Sequence, residues 1–429
     1  MRLLRPAPPA PGRPAYTRSL SSTFQLVART GHPSFLDLPW DLPLEEWQSE
    51  RLVTLVRGIS RHVVRFVEYD GALYALKELP ERPARREWTL LRRLQGQALP
   101  VVEPVGIVTA RPGDLDPVLI TRHLDYSLPY RVLFSSGGIP DLRTHLLNAL
   151  VELIARLHLR GFFWGDCSLS NALFRRDAGA LSAYLVDAET GELHGTLSSG
   201  QRSYDVEIAQ QNIVGELLDV DAEVGLPRDL DPDETGDEIV ARYGALWDEL
   251  TRDETFRADE RYRLDERLHR LNELGFDVEE IVLDAADGGY RVSLDPHVVE
   301  PGHHRHRLLR LTGLDAQENQ ARRMLNDIAR YREAREREAG RPLAESAVAS
   351  EWRQEVFEPT VAAVPEALEG RLPAAEVFHQ VLEHRWFLSE RAKRDIGIDE
   401  AVESYVASEL PQRPSERVIL ETPNDEPDE

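Results

Sequence analysis

The apolar positions change period along the chain, and each change predicts an element. Val53 to Phe66 and Leu73 to Leu79 are rich in Val, Phe and Tyr and read as strands, with Tyr69-Asp70-Gly71 as the turn between them. From Arg85 to Gln95 the spacing becomes helical, with Trp88, Leu91 and Leu94 on one stripe. Two further strand-like runs follow, Val101 to Thr109 and Val118 to His123. The pattern predicts a small β-rich lobe with one helix. An ordered lead-in precedes it over residues 34–50, where Trp40 and Trp47 are expected to pack on the core. A long helix is predicted from Asp141 to His158. Leu142, Leu146, Leu150, Leu153 and Leu157 form its stripe, Asp141 is placed to cap its start, and Gly161 to stop the chain after it. Ala183 to Asp187 is a short apolar strand that ends on an acid, and 204–218 is again helical.

Beyond residue 220 the pattern becomes Arg- and Glu-rich with helical spacing. An acidic linker is expected over 221–237, then a mainly helical domain over 238–410. Its helices fall at 238–250, 261–274, 316–336, 345–363 and 373–394. A hairpin interrupts them, pairing 280–283 with 290–293 through Asp287-Gly288-Gly289. His303-His304-Arg305-His306 lacks any acid or cysteine spacing that would complete a metal site and reads as a solvated loop. Residues 1–20 are Pro-rich and 411–429 acidic, and both are expected to be disordered.

Composition narrows the classes of function. A net charge of −24 without a basic stripe argues against nucleic acid or an anionic membrane as the main partner. No run of about 18 apolar residues exists to span a membrane, and the basic N-terminus has no apolar core of a signal peptide. The single cysteine, Cys167, excludes an internal disulfide and fits a cytoplasmic location. Beside Asp166 it reads as a packing residue rather than a nucleophile.

Of the 51 Lys and Arg, only Lys77 and Lys393 are lysines, a bias expected of G+C-rich coding. Against it, Lys77 ends the strand Tyr74-Ala75-Leu76-Lys77, where a compact ammonium can insert between phosphate oxygens. Glu87 follows ten residues later on the predicted helix. Asp166 and Asn171 stand five apart in Trp164-Gly165-Asp166-Cys167-Ser168-Leu169-Ser170-Asn171, and Asp187 closes the last strand. In this order the five resemble the protein-kinase-like phosphotransferases. The resemblance implies an α+β, bilobal kinase-like fold over 21–220, followed by the mainly α-helical domain.

It further implies ATP and Mg²⁺ as cofactors. Lys77 would hold the phosphates, with Glu87 holding Lys77; Asn171 and Asp187 would ligate Mg²⁺; Asp166 would deprotonate the acceptor hydroxyl. Glu189, two residues past Asp187, is either a further metal ligand or a salt-bridge partner. The loop over the phosphates would use Gly58, Ser60 and Arg61, although only Gly58 of the G-x-G-x-x-G pattern is present; an ordinary turn is the other reading. Gly165-Asp166 preceded by Trp164 resembles aminoglycoside, choline and lipopolysaccharide-sugar kinases more than protein kinases. Only 18 residues separate Asp187 from Asp205, with no Ala-Pro-Glu signature, which favours a small-molecule or sugar acceptor over a protein. Asp205 is either the buried acid that braces a kinase catalytic loop or a helix cap. The whole chain is similar to an actinobacterial family carrying domain of unknown function 4032 behind a lipopolysaccharide-kinase-like part, on Arg57 to Phe66 and Phe378 to Leu388. Three functions stay open: a phosphotransferase acting on a hydroxyl, a nucleotide-binding pseudokinase whose C-terminal domain binds a protein partner, or transfer of a nucleotidyl group to protein by the same residues.

Overall fold

A computed structural model describes residues 24–55, 62–136, 141–226, 230–252, 254–256, 262–273, 276–278, 281–286, 289–294, 299–413 and 415–416. The N-terminal part is built on a six-stranded antiparallel sheet. Its strands are β1 (Gln25–Ala28), β2 (Leu52–Val53), β3 (Val64–Tyr69), β4 (Ala72–Glu78), β5 (Glu103–Thr109) and β6 (Val118–Arg122), in the order β1-β5-β6-β4-β3-β2. The period-2 alternation of β4 sorts its side chains between two layers. Tyr74 and Leu76 point into a core with Phe35, Trp40 and Trp47. Ala75 and Lys77 face the opposite way, into a cleft. The two tryptophans of the lead-in are buried edge to face, 5.1 Å apart, as their spacing predicted.

Helix α1 (Glu81–Gly96) starts one turn before its predicted position, because Pro83 lies in the first turn, where no N–H bond is lost. Its buried stripe is Ala84, Glu87, Trp88, Leu91 and Leu94, which places one carboxylate inside an apolar row. After α2 (Tyr130–Ser136) comes α3 (Leu142–Leu159), buried along most of its length. Asp141 does not cap α3. It has a left-handed backbone (φ 51°), and only its carbonyl accepts a bond, from His145 N–H. Gly161 does terminate the helix at φ 73°, and a Cβ there would collide with the His194 carbonyl.

β7 (Phe162–Phe163) pairs with β10 (Glu192–Leu193), and between them lies the hairpin of β8 (Ala172–Asp177) and β9 (Ala180–Leu185). Helix α4 runs from Ser199 to Val224, longer than the expected 204–218. Ser198 and Gln201 cap it reciprocally, so Asp205 is not its cap but lies in its second turn. Most of the expected acidic linker is helical. α4 takes residues 221–224, and α5 (Pro232–Thr251) begins at 232, capped by Asp231 with Pro232 at its first position.

Next come β11 (Glu254–Phe256), α6 (Tyr262–Glu273), β12 (Phe276–Val278), the hairpin β13 (Ile281–Ala286) and β14 (Gly289–Leu294), and β15 (Val299–Pro301). β13 and β14 pair as predicted, and the turn residues Asp287 and Gly288 lie outside the described residues. The remainder is α7 (His303–Thr312), α8 (Glu318–Ala339), α9 (Glu345–Trp352), a π turn over Arg353–Phe357, α10 (Glu358–Ala362), α11 (Ala374–Ala392) and α12 (Ile398–Ser408). Trp352, Phe357 and Phe378 pack together at its centre. The histidine run is no loop: it forms the first turn of α7, whose His304 and Arg305 amides donate to the Glu318 carboxylate. That capping acid lies a whole helix further along, so no local signal announces it. The end expected to be disordered is ordered at Glu416, which is buried against Arg176 at 2.7 Å. No helix among the described residues is long and apolar enough to cross a membrane.

Candidate active site

A cleft of about 530 Å³ lies between the sheet and a layer made by the 166–171 loop, β8 and α4. Val64, Phe66 and Ala75 form its roof, Leu173 and Val186 its floor, and the chain from Arg122 to Leu124 its outer edge. Lys77, Asp166, Asn171 and Asp187 line one end. Four of the five chemistry-bearing residues picked from the sequence therefore share one cavity, and the fifth, Glu87, reaches it through Lys77.

The Lys77 ammonium donates to Glu87 at 3.0 Å and to Asp187 at 2.6 Å. Burial alone would push its pKa down, but the two carboxylates more than offset this and hold it above the ordinary value. Burial and the Asp187 charge push the Glu87 carboxyl up, against the pull of Lys77. Glu189 is 3.8 Å from Lys77 and 2.8 Å from His62, so it sits in the same ion network. Its neighbour Asp187 is held through Oδ1 by the Glu189 backbone N–H. Gly58, Ser60 and Arg61 lie outside the described residues.

The loop 164–171 is fastened by α4. Asp205 is 1% exposed and accepts from the Trp164 and Gly165 amides, both at 2.7 Å, and from His158 Nε2 at 3.0 Å. Asp205 is therefore the buried brace. His158 gives Nε2–H to Asp205 and accepts from the Tyr243 hydroxyl at 2.7 Å; burial pushes its pKa down and keeps it neutral. Gly165 needs its φ of 75°, since a Cβ there would press on the Phe163 ring at 3.1 Å.

Seven and eleven residues past Asp205, on the same helical face, stand Asn212 and Glu216. Asn212 donates to Asp166 Oδ1 at 3.2 Å and to the Cys167 carbonyl at 3.1 Å. Glu216 accepts from the Leu169 and Ser170 amides at 2.6 and 3.0 Å. These two were missed in the sequence, although the polar row Asp205, Asn212, Glu216 on an otherwise buried helix face is a readable signal. Trp164, where protein kinases have histidine, is buried and donates its indole N–H to the Asp187 carbonyl at 3.0 Å, tying the two acidic loops together. Cys167 is fully buried, and burial pushes its thiol well above the ordinary value, in keeping with packing.

Asn171 donates its amide nitrogen to the Asp166 carbonyl at 2.9 Å, which leaves the amide oxygen as the group it offers the cleft. The Asn171 carbonyl accepts from Val186 N–H at 3.0 Å, so Asn171 and Asp187 emerge side by side. A neutral amide oxygen and a carboxylate are hard donors, suited to Mg²⁺ that takes its remaining ligands from phosphates and water. Among the described residues, no group of three His, Cys, Asp or Glu could hold a metal on its own.

Strand lysine, helix glutamate, Asp–Asn loop and strand-end aspartate define a protein-kinase-like fold with a helical C-terminal region. Residues 67–207 match the lipopolysaccharide kinase (Kdo/WaaP) family, and residues 245–410 match a domain of unknown function, DUF4032. The kinase-like fold is thus followed along the chain by a region that matches DUF4032. A solved structure described as WaaP in complex with acyl carrier protein is similar to it at 18% identity, covering 52% of this chain and 88% of that one, with a TM-score of 0.33. No curated protein matches the chain.

Proposed function

We propose that the chain is an ATP- and Mg²⁺-dependent phosphotransferase that acts on a hydroxyl of a small molecule or sugar. The observation that carries this is the meeting of Lys77, Glu87, Asp166, Asn171 and Asp187 around one cleft. The nucleotide base would lie between Ala75 and Leu173, with its phosphates toward Lys77. Bound Mg²⁺ would neutralise charge on the phosphates. Asn171 and Asp187 would hold it, and Glu87 would keep Lys77 aimed at the phosphates. Asp166, oriented by Asn212, accepts the proton of the acceptor hydroxyl as its oxygen bonds to the γ-phosphorus; the bond to the β-bridging oxygen breaks and ADP leaves. The acceptor would enter beside Tyr130, Gly215 and Asp219, where the wall carries hydroxyl, amide and carboxylate groups. Such a wall suits a polyhydroxylated acceptor, in accord with the lipopolysaccharide-kinase name of the matching family. The division into a kinase-like part over 21–220 and a mainly helical part over 238–410 belongs to the same reading.

The test is thermal unfolding with and without ATP and Mg²⁺, on wild type, Lys77→Ala and Asp187→Asn. Ligand at about 100 times its dissociation constant adds roughly 2.7 kcal/mol, a shift of several degrees. A Mg²⁺-dependent shift lost in both variants, followed by phosphate transfer in a sugar screen, is expected. Binding without transfer to any hydroxyl would instead favour a pseudokinase.

A further inference from the structure

The tip of the β8–β9 hairpin is gripped by the C-terminal region, and its open end carries the proposed metal ligands. The ladder runs from the pair Ala172 and Leu185 to the pair Asp177 and Ala180. Asn171 directly precedes it, and Asp187 follows two residues after it. The far end is a two-residue turn with φ 53° at Ala178 and 84° at Gly179. Positive φ is unfavourable for alanine, and contacts from outside the turn add to what the ladder itself imposes.

Holding is done by α8, α11 and Glu416. Asp177 is 1% exposed, and its carboxylate accepts from four donors. Asn319 gives its backbone and side-chain N–H at 3.1 and 3.2 Å, Gln320 its backbone N–H at 2.8 Å, and Ser182 its hydroxyl at 2.9 Å. Asp177 thereby adds a second carboxylate at the N-terminus of α8, beside Glu318 of its own first turn. Glu376 of α11 accepts from the strained Ala178 amide at 3.1 Å and from Gln320 Nε2 at 2.8 Å. Arg176 pairs with Glu416, and the Tyr184 hydroxyl donates to Gln317 at 2.7 Å. A buried carboxylate stripped of such donors is strongly unfavourable, so the hairpin tip and the C-terminal region hold their arrangement together.

We propose that the C-terminal region is an intramolecular clamp on this hairpin, with Asp177 as the positioning residue that fixes Asn171 and Asp187 through the β8–β9 ladder. The metal-ligand half of this statement rests on the phosphotransferase reading; the clamp itself does not. Six strand residues span roughly 17 Å, so Asp177 touches neither nucleotide nor metal. The DUF4032 region is then part of the catalytic scaffold rather than a separate module.

Hydrogen exchange on the full chain, without nucleotide, tests the clamp in wild type, Asp177→Asn and Asn319→Ala. Losing one charge-assisted bond speeds exchange about ten-fold or more. That acceleration is expected at residues 169–173 and 184–189 as well as at 177–182 and 315–325. Unchanged exchange at 169–173 and 184–189, in whichever variant folds, would overturn the proposal. As a second readout, the Mg²⁺ needed for half of the ATP-induced stabilisation should rise about ten-fold in Asp177→Asn, more than a general loss of stability explains. If wild type shows no ATP response, the nucleotide reading fails while the exchange comparison still decides the clamp.

Discussion

Asp187 Oδ2 lies 2.6 Å from Lys77 Nζ, closer than Glu87 at 3.0 Å, so one ammonium is shared between two acids. Glu87 is 1% exposed, and among the described residues Lys77 is the one cation paired with its carboxylate. Lys77→Met therefore strands a buried charge. Its expected cost is about 3–5 kcal/mol, measured by urea unfolding at pH 7. Adding Glu87→Gln should recover more than half of that loss, because a neutral amide tolerates the site. A Lys77→Met protein as stable as wild type would show that the ion cluster carries no such weight.

Asn212 makes a different kind of contact, a neutral amide N–H to Asp166 Oδ1. It turns the carboxylate without touching the reacting atoms. Asn212→Ala is expected to lower kcat about ten-fold and to leave KM for ATP nearly unchanged, since one neutral hydrogen bond contributes about 1 kcal/mol. Asn212→Asp sets a like charge beside Asp166, which disfavours the ionised form of the proposed base. The acidic limb of the kcat/KM profile should then move to higher pH. Were both limbs to stay in place, Asp166 would not be the group that titrates in the reaction.

The residues legible from sequence share one property: each sits on a short element whose periodicity fixes its direction. Lys77 follows from strand alternation, and Asp166 and Asn171 from a five-residue spacing within one loop. Glu87 was legible as a helix residue, although its burial in the apolar stripe of α1 becomes meaningful only once Lys77 faces it. What escaped reading depends on contacts far apart in sequence. Glu318 caps α7 from the next helix, and Ser198 rather than Asp205 caps α4. Glu416 looked like part of an acidic tail until Arg176, 240 residues earlier, supplied its partner. Asp205 showed two equal readings because an acid near a helix start serves either as cap or as brace, and the geometry of Trp164 and Gly165 separates them.

That brace leads to a stability prediction. Asp205→Ala leaves the Trp164 and Gly165 amides and His158 Nε2 without their acceptor in a buried layer. Each orphaned donor costs about 1–3 kcal/mol, so a loss of at least about 3 kcal/mol is expected in denaturant titration. Because the same bonds hold the loop that carries Asp166, phosphate transfer should fall even at temperatures where the variant remains folded. A loss below about 1 kcal/mol, the size of a surface contact, would contradict the bracing role.

His123, at the outer edge of the cleft, sets an acid limit to stability. Its ring meets Phe66 edge to face at 5.7 Å, and burial pushes its pKa from 6.5 down to about 4, partly opposed by Asp125. Between these values the unfolded chain holds a proton that the folded chain does not. Stability from this group is therefore complete above pH 6.5 and is lost as pH falls toward 4. His123→Gln has no such proton to bind. Over pH 6 to 4.5 the wild type should lose up to about 1.4 kcal/mol per pH unit more than the variant, the slope of one proton. Urea midpoints across that range measure the difference. Parallel curves for the two proteins would mean that His123 titrates alike in the folded and unfolded chains, and that the cleft edge is open to water.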